Sequence, residues 1–112
     1  MIEQVVLRDQ NGPDGVRSLT AQRGADGGVL IEGQDLGRGV EAAWGAGNTE
    51  YEWAWAIPPA SVDVAVLALG GAAGDDVLAL LAAWSASHGG IDPGIHLKAA
   101  GVPVEFWSRV GE

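Results

Sequence analysis

Two glutamates spaced for acid–base chemistry lie near the middle of the chain. Glu50 and Glu52 alternate with aromatic residues, and this alternation places both carboxylates on one face of a strand. Like charges at that spacing can raise the pKa of one carboxyl group and make it a general acid, as in glycoside hydrolysis. Glu105 joins them if the last strand pairs alongside. A solvated strand face is the ordinary alternative, and we predict no catalytic residue.

A nucleotide-binding pattern is present without the context that it needs. Residues 37–42 fit the loose form of the dinucleotide fingerprint, in which glycines let the backbone approach a pyrophosphate. Gly45 and Gly47 return too early for the crossover helix of a βαβ unit, which needs roughly ten residues or more. The segment also follows a predicted hairpin meander. We therefore predict no bound cofactor.

Cysteine and histidine chemistry is sparse. The chain has no cysteine, which excludes disulfides, thiolate nucleophiles and cysteine-bound metals and fits a cytoplasmic location. His88, Asp92 and His96 could meet around a metal ion, but their spacing matches no zinc motif. Exposed loop histidines are the more usual case. We predict no metal site.

Tryptophan is the most informative residue type. The chain has five, and most should pack in the core as large apolar side chains. Trp107 differs, because it alternates with Val104 and Phe106 and should point away from the core. It is flanked at alternate positions by Glu105 and Arg109, a composition typical of binding hot spots. Packing over a neighbouring strand is the alternative. The predicted partner-binding surface consists of Glu50, Glu52, Glu105, Trp107 and Arg109.

The charge of the chain restricts its partners. Fifteen acidic residues against six lysines and arginines give a formal net charge of -9, which argues against nucleic acid as a partner. The excess is concentrated in residues 41–112, where Lys98 and Arg109 are the only basic side chains. This half should attract a basic protein. The alternative is that the acidity only maintains solubility.

Hydrophobic periodicity predicts alternating elements along the chain. Strands are expected over residues 2–9, 16–23, 29–31, 49–57 and 102–110. Helical segments are expected from a cap at Asp35 to Trp44, over residues 62–69, over residues 77–84, and from Pro93 to a stop at Gly101.

This order, βββ, short helix, β, ααα, β, predicts a single α+β domain over residues 1–112. We expect an antiparallel sheet of about five strands with the helices packed on one face. The last strand should pair with either the first or the fourth. Its free edge could join two copies as a homodimer. No segment has the length and apolar character of a membrane span, and the amino terminus lacks the pattern of a signal peptide.

Two segments resemble a known group of proteins. Residues 31–37 read IEGQDLG and residues 105–109 read EFWSR. With the acidic aromatic strand between them, they resemble a family of small uncharacterised actinobacterial proteins. The resemblance covers most of the chain and implies a single domain of that origin. It transfers no catalytic residue.

The leading functional hypothesis is a non-enzymatic protein-binding module, of the kind represented by immunity or antitoxin-like inhibitors that mask a basic toxin. The alternative is a small-ligand-binding protein or weak hydrolase. That alternative would use a cleft between the aromatic strand and the helices, with a tryptophan floor and with Glu52 or Glu105 in the cleft.

Overall fold

The strands and helices follow one another in the predicted order. The computed structural model describes residues 3–111, and its elements are β1 (Gln4–Gly12), β2 (Gly15–Arg23), β3 (Val29–Leu36), α1 (Arg38–Trp44), β4 (Glu50–Ile57), α2 (Val62–Ala68), α3 (Val77–Ser87), α4 (Pro93–Ala99) and β5 (Glu105–Gly111). A short 3₁₀ helix, Pro59–Ser61, precedes α2. The strands form one antiparallel sheet in the order β1-β2-β3-β4-β5. The α+β class with a five-stranded sheet is thus confirmed.

Alternation along β4 places the aromatic residues against the helices. Trp53, Trp55 and Ile57 are buried, and the residues between them point to the opposite face. Leu19 and Ile31 extend the same buried layer across the sheet. The helices complete this single core with apolar residues of α2, α3 and α4, including Ala65, Val66, Val77, Leu78, Leu81 and Leu97. Trp53 and Trp55 pack in the core as predicted, but the prediction that most tryptophans do so is wrong, because Trp44 and Trp107 are about half exposed.

The last strand pairs with β4, the choice that the sequence left open. Glu52 lies opposite Arg109 in the antiparallel register. The strand begins at Glu105, so the prediction that it starts at residue 102 is wrong. Val102 instead completes the end of α4, where its N–H donates to the Leu97 carbonyl at 3.0 Å. Gly101, with φ 84°, makes the reversal that this helix end requires.

Asp35 does not cap a helix, contrary to the sequence prediction. It belongs to β3, which continues to Leu36, and its carboxylate lies 3.6 Å from the guanidinium groups of both Arg8 and Arg17. The chain turns into α1 at Gly37, where φ is 109°. A Cβ there would also meet the Asp14 carbonyl oxygen at 2.7 Å. The glycine makes the junction between strand and helix, and no side-chain cap is needed.

A buried carboxylate connects the helical layer to the sheet. Asp92 is 7% exposed, and its Oδ2 accepts the indole N–H of Trp53 at 2.7 Å and that of Trp55 at 2.8 Å. Its Oδ1 accepts the backbone N–H of Gly94 at 2.8 Å and so caps α4. Three N–H donors thus compensate a carboxylate that burial would otherwise make costly.

Both indoles lie flat against glycines. A Cβ added to Gly33 would lie 2.1 Å from the Trp53 ring, and one added to Gly94 would lie 2.2 Å from the Trp55 ring. These distances leave no room for any side chain, because real Cβ contacts are far longer. The two glycines therefore set how closely β3 and α4 approach the tryptophans.

Replacing Asp92 tests this arrangement. Asp92→Ala leaves two indole N–H groups buried without an acceptor and removes the cap of α4, so we expect the free energy of unfolding to fall by about 4 kcal/mol. Urea denaturation measures the change. Asp63→Ala, an exposed aspartate in the first turn of α2, is the matched control and should change stability far less. Similar losses in the two variants would show that the indole bonds contribute little.

Candidate functional site

Acidic side chains are concentrated on the face of the sheet that points away from the core. Alternate residues of each strand point to this side, which we call the helix-free face, and the register aligns Ser18, Gln34, Glu52 and Arg109 in one row across it. The same alternation assigns every strand residue to one of the two faces. The charged residues on the helix-free face are Asp9, Glu32, Glu50, Glu52, Glu105 and Arg109.

All five residues of the predicted partner surface lie on the helix-free face. Arg109 Nη2 lies 2.8 Å from Glu50 Oε1 and 3.2 Å from Glu52 Oε2. Trp107 is the next residue of β5 on this face, opposite Ala54, and Glu105 follows opposite Ala56. The structure therefore joins Arg109 to two glutamates at one end and leaves Glu105 apart at the other.

The arginines of the first two strands lie on the other face. Arg8 and Arg17 flank Asp35 there, and Arg23 binds Asp76, the cap of α3, at 2.9 Å. The described strand residues therefore give the helix-free face five carboxylates against one guanidinium, a net charge of −4 from five minus one. Asp9 and Glu32 were missed by the sequence prediction. Their alternation with core residues was visible, but the register of the strands was not.

The neighbouring carboxyl groups of Glu50 and Glu52 titrate as a pair. A hydrogen bond with Glu52, with smaller contributions from desolvation and from the charge of Glu52, raises the pKa of Glu50. The same hydrogen bond, together with Arg109, lowers the pKa of Glu52. Glu50 therefore takes up a proton before Glu52 on acidification, and Arg109 bridges the two carboxylates at neutral pH.

Trp107 stands on an edge strand that is open on both sides. Its side chain is 53% exposed on the helix-free face, and Phe106 is 49% exposed on the helical side. The alternation with Trp107 predicted that Phe106 enters the core, but it does not. It packs on the edge of the core against Trp55, with the ring centroids 4.5 Å apart. The helical layer ends at α4, so it covers β4 and leaves β5 uncovered.

A shallow depression lies at the Glu105 end of the helix-free face. It has a volume of about 390 Å³ and is lined by Gln22, Leu30, Ala56, Pro58 and Glu105, among others. Asp26 adds a second acidic residue to its lining, which contains no aromatic residue. Trp107 lies two residues beyond Glu105 along β5 and does not line the depression.

A separate cleft lies between the aromatic strand and α4. Its volume is about 430 Å³, and Trp53 and Trp55 form part of its wall. Arg8 and Arg17 also line it, and burial lowers the pKa of Arg8 below its usual value. Glu52 and Glu105 lie on the opposite face of the sheet, so they are not in this cleft. The nearest carboxylates are Asp92, bound to the indoles, and Asp35, between the arginines.

The histidines lie against a tryptophan and not around a common point. Trp84 stacks on His88 with centroids 4.0 Å apart and on His96 at 4.9 Å, while Asp92 faces the indoles of β4. Residues 3–111 contain no group of three potential metal ligands. Within the same residues, no helix combines the length and apolar character that crossing a bilayer requires.

Glu52→Gln tests the coupling of the two carboxyl groups. Removing the Glu52 carboxylate removes the largest cause of the elevated pKa of Glu50, so we expect that pKa to fall toward its ordinary value. Carboxyl ¹³C NMR titration measures it directly. In the control, Glu105→Gln, the pKa of Glu50 should not move. An unchanged pKa of Glu50 in Glu52→Gln would contradict the shared hydrogen bond.

Comparison with known proteins adds nothing to this geometry. Searches against protein-family models, curated proteins and solved structures gave no match. The resemblance of residues 31–37 and 105–109 to small actinobacterial proteins stays a prediction.

Proposed function

We propose that this chain is a non-enzymatic protein-binding module that takes a basic protein on its helix-free face. The observation that supports the proposal is the separation of charge across the sheet. Five carboxylates share the helix-free face with one guanidinium, while Arg8, Arg17 and Arg23 lie on the helical face. A sheet face of one sign attracts a partner of the other and speeds its association.

Trp107 gives the same face an apolar anchor. It is half exposed, and the residues opposite it and beside it on β4 are the small side chains Ala54 and Ala56. A large aromatic side chain that projects above small neighbouring side chains can enter a partner's pocket. Such tryptophans often dominate the binding energy. The carboxylates of the helix-free face would then set the orientation of the partner and the rate of association. Trp107 would set the lifetime of the complex.

The biological form that we propose is an immunity or antitoxin-like inhibitor. A small acidic protein with a flat, charged face can cover the basic surface of a toxin, which would otherwise bind nucleic acid or another acidic target. The proposal requires tight binding of one basic protein and no turnover. Support comes from the acidity of the face, from Trp107, and from the engagement of Asp92 and Asp35 in internal contacts.

Charge reversal on the helix-free face is the direct test. We expect Glu32→Lys/Glu105→Lys to lower the affinity for the basic partner at least roughly tenfold, because like charges then face each other. Asp14→Lys/Asp63→Lys, on exposed residues away from this face, is the control. Each acid-to-lysine replacement adds two positive charges, so each double variant changes the formal charge from -9 to −5. Net charge therefore cannot explain a difference between the two variants.

The measurement is quantitative affinity capture from the source cells, followed by binding assays with the purified partner over a series of salt concentrations. Trp107→Ala should weaken binding at every salt concentration, whereas Trp44→Ala, an equally exposed tryptophan on α1, should not. Equal retention by both charge-reversed variants would contradict the proposal. So would a partner that is acidic.

A second candidate function is the binding of a small ligand in the cleft beside α4. The observation in its favour is a cavity of about 430 Å³ that combines tryptophan walls with the guanidinium groups of Arg8 and Arg17. Ile91 and Ile95 stand about half exposed at its rim. Aromatic walls with a few polar groups are typical of ligand sites, and this one suits a planar molecule that carries a carboxylate.

Benzoate is a suitable probe of the cleft, since it has a planar ring and one carboxylate. We expect titration to shift the indole ¹H–¹⁵N signals of Trp53 and Trp55, with millimolar affinity, while the signal of Trp107 stays fixed. Arg17→Gln should weaken this binding, because the guanidinium of Arg17 is the exposed cation of the cleft. No shift up to the solubility limit of benzoate would remove the second candidate.

A further inference from the structure

Among residues 3–111, the outer edge of β5 presents backbone groups that no neighbouring strand satisfies. The Arg23 N–H donates to the Glu3 carbonyl and the Gly37 N–H donates to the Thr49 carbonyl, both at 2.8 Å. In antiparallel strands the direction of these groups alternates residue by residue. Through the register of β3, β4 and β5, this alternation means that the β5 residues of the helix-free face direct their backbone N–H and C=O groups toward β4. Phe106, Ser108 and Val110 therefore direct their N–H and C=O groups outward.

The two edges of the sheet differ in protection. β1 contains a bulge between Val6 and Arg8, and α3 packs along that strand. A bulge and a covering helix are common protections against edge pairing. β5 has seven consecutive regular pairs with β4 and is exposed at six of its seven residues. Pro103 precedes the strand and does not protect it.

We propose that β5 pairs antiparallel with β5 of a second copy of this chain, about a two-fold axis through Ser108. The axis stands perpendicular to the sheet, so two five-stranded sheets join into one of ten strands. Ser108 is the midpoint of Glu105–Gly111, so this register pairs all seven residues. It also engages the outward N–H and C=O groups of Phe106, Ser108 and Val110 in both copies.

The side chains of β5 are self-complementary in this register. Phe106 lies opposite Val110 of the second copy, so two half-exposed apolar residues meet on the helical side. Trp107 lies opposite Arg109 of the second copy, which permits a cation–π contact. Both pairs occur twice, as a closed two-fold interface requires, because each surface must match itself. No acidic residue faces another acidic residue across the axis.

This self-complementarity is the reason for assigning the edge to a second copy and not to a strand of another protein. A two-fold axis perpendicular to the sheet keeps both helix-free faces on one side. The acidic residues of the two copies then form one continuous surface. The pairing does not depend on the function proposed above. Because both copies are acidic, salt should strengthen the dimer by screening, whereas it should weaken a complex with a basic protein.

Sedimentation equilibrium of the full chain tests the pairing. We expect a concentration-dependent monomer–dimer equilibrium. Ser108→Pro removes an outward N–H without removing a bond to β4, and edge strands tolerate proline at such positions. It should raise the dimer dissociation constant on the order of 30-fold, through loss of two symmetric hydrogen bonds. Ser108→Ala keeps the N–H and is the control, which should dimerise as the unmodified chain does.

Single cysteines test the register, since the chain has none of its own. Directly opposed residues of a hydrogen-bonded pair have Cα atoms about 5.5 Å apart, within reach of a disulfide. Ser108→Cys should therefore oxidise to a cross-linked dimer much faster than Trp107→Cys. This comparison decides the matter even if Ser108→Pro does not fold.

Several results would overturn the proposal. An unmodified chain that is monomeric at every concentration would do so, and so would a folded Ser108→Pro variant with an unchanged dissociation constant. Faster cross-linking of Trp107→Cys would place the axis at Trp107 and contradict the register.

Discussion

The carboxylate of Asp92 joins the sheet to the helical layer at the point where both indoles of β4 end. Trp53 and Trp55 donate to the same oxygen, at 2.7 and 2.8 Å. Two rings on alternate residues of one strand are thereby tilted toward one point, and their flat surfaces lie against Gly33 and Gly94. A buried carboxylate stabilises a fold only when its hydrogen bonds are satisfied. Here three N–H groups satisfy it, and the same residue begins α4.

The position of α4 determines what remains uncovered. The helix begins over Trp55, where Gly94 lies against the indole, and after it the chain returns along β4 as β5, beyond the helical layer. Phe106 and Trp107 consequently stand about half exposed on opposite sides of one strand. On the helical side, Asp35 and Asp76 bind the arginines of the first two strands. On the other face, Arg109 is the only basic side chain among the described strand residues, and Gln22 and Gln34 donate hydrogen bonds to Glu32 and Glu52. The acidic face and the open edge both follow from where the helices pack.

Much of this fold could be predicted because its signals are local. Alternation on β4 identified the strand and its buried face, and glycines marked the ends of the helices. Where two local signals competed, the prediction was wrong. Asp35 suits a helix cap as well as a strand position between two arginines, and its partners Arg8 and Arg17 are distant in sequence. Val102 suits a strand by its β-branched side chain, but its N–H is hydrogen-bonded to the Leu97 carbonyl at the end of α4.

The site was predicted in composition but not in arrangement. Alternation alone put Glu105, Trp107 and Arg109 on one face, whereas the addition of Asp9 and Glu32 required the register of three other strands. The role of Asp92 was beyond sequence reasoning, since it lies 39 and 37 residues from the indoles that it binds. A lone aspartate before a proline predicts a helix cap. Nothing in its neighbourhood indicates two buried donors.

Hydrogen exchange of the indole N–H groups tests the role of Asp92 most directly. The five tryptophans each contribute one indole N–H signal, and single substitutions can assign these signals. If the carboxylate holds Trp53 and Trp55 as described, their N–H groups will exchange only with global unfolding, as slowly as the most protected backbone amides. Those of Trp44 and Trp107 will exchange quickly. Rapid exchange at Trp53 or Trp55 would contradict the account.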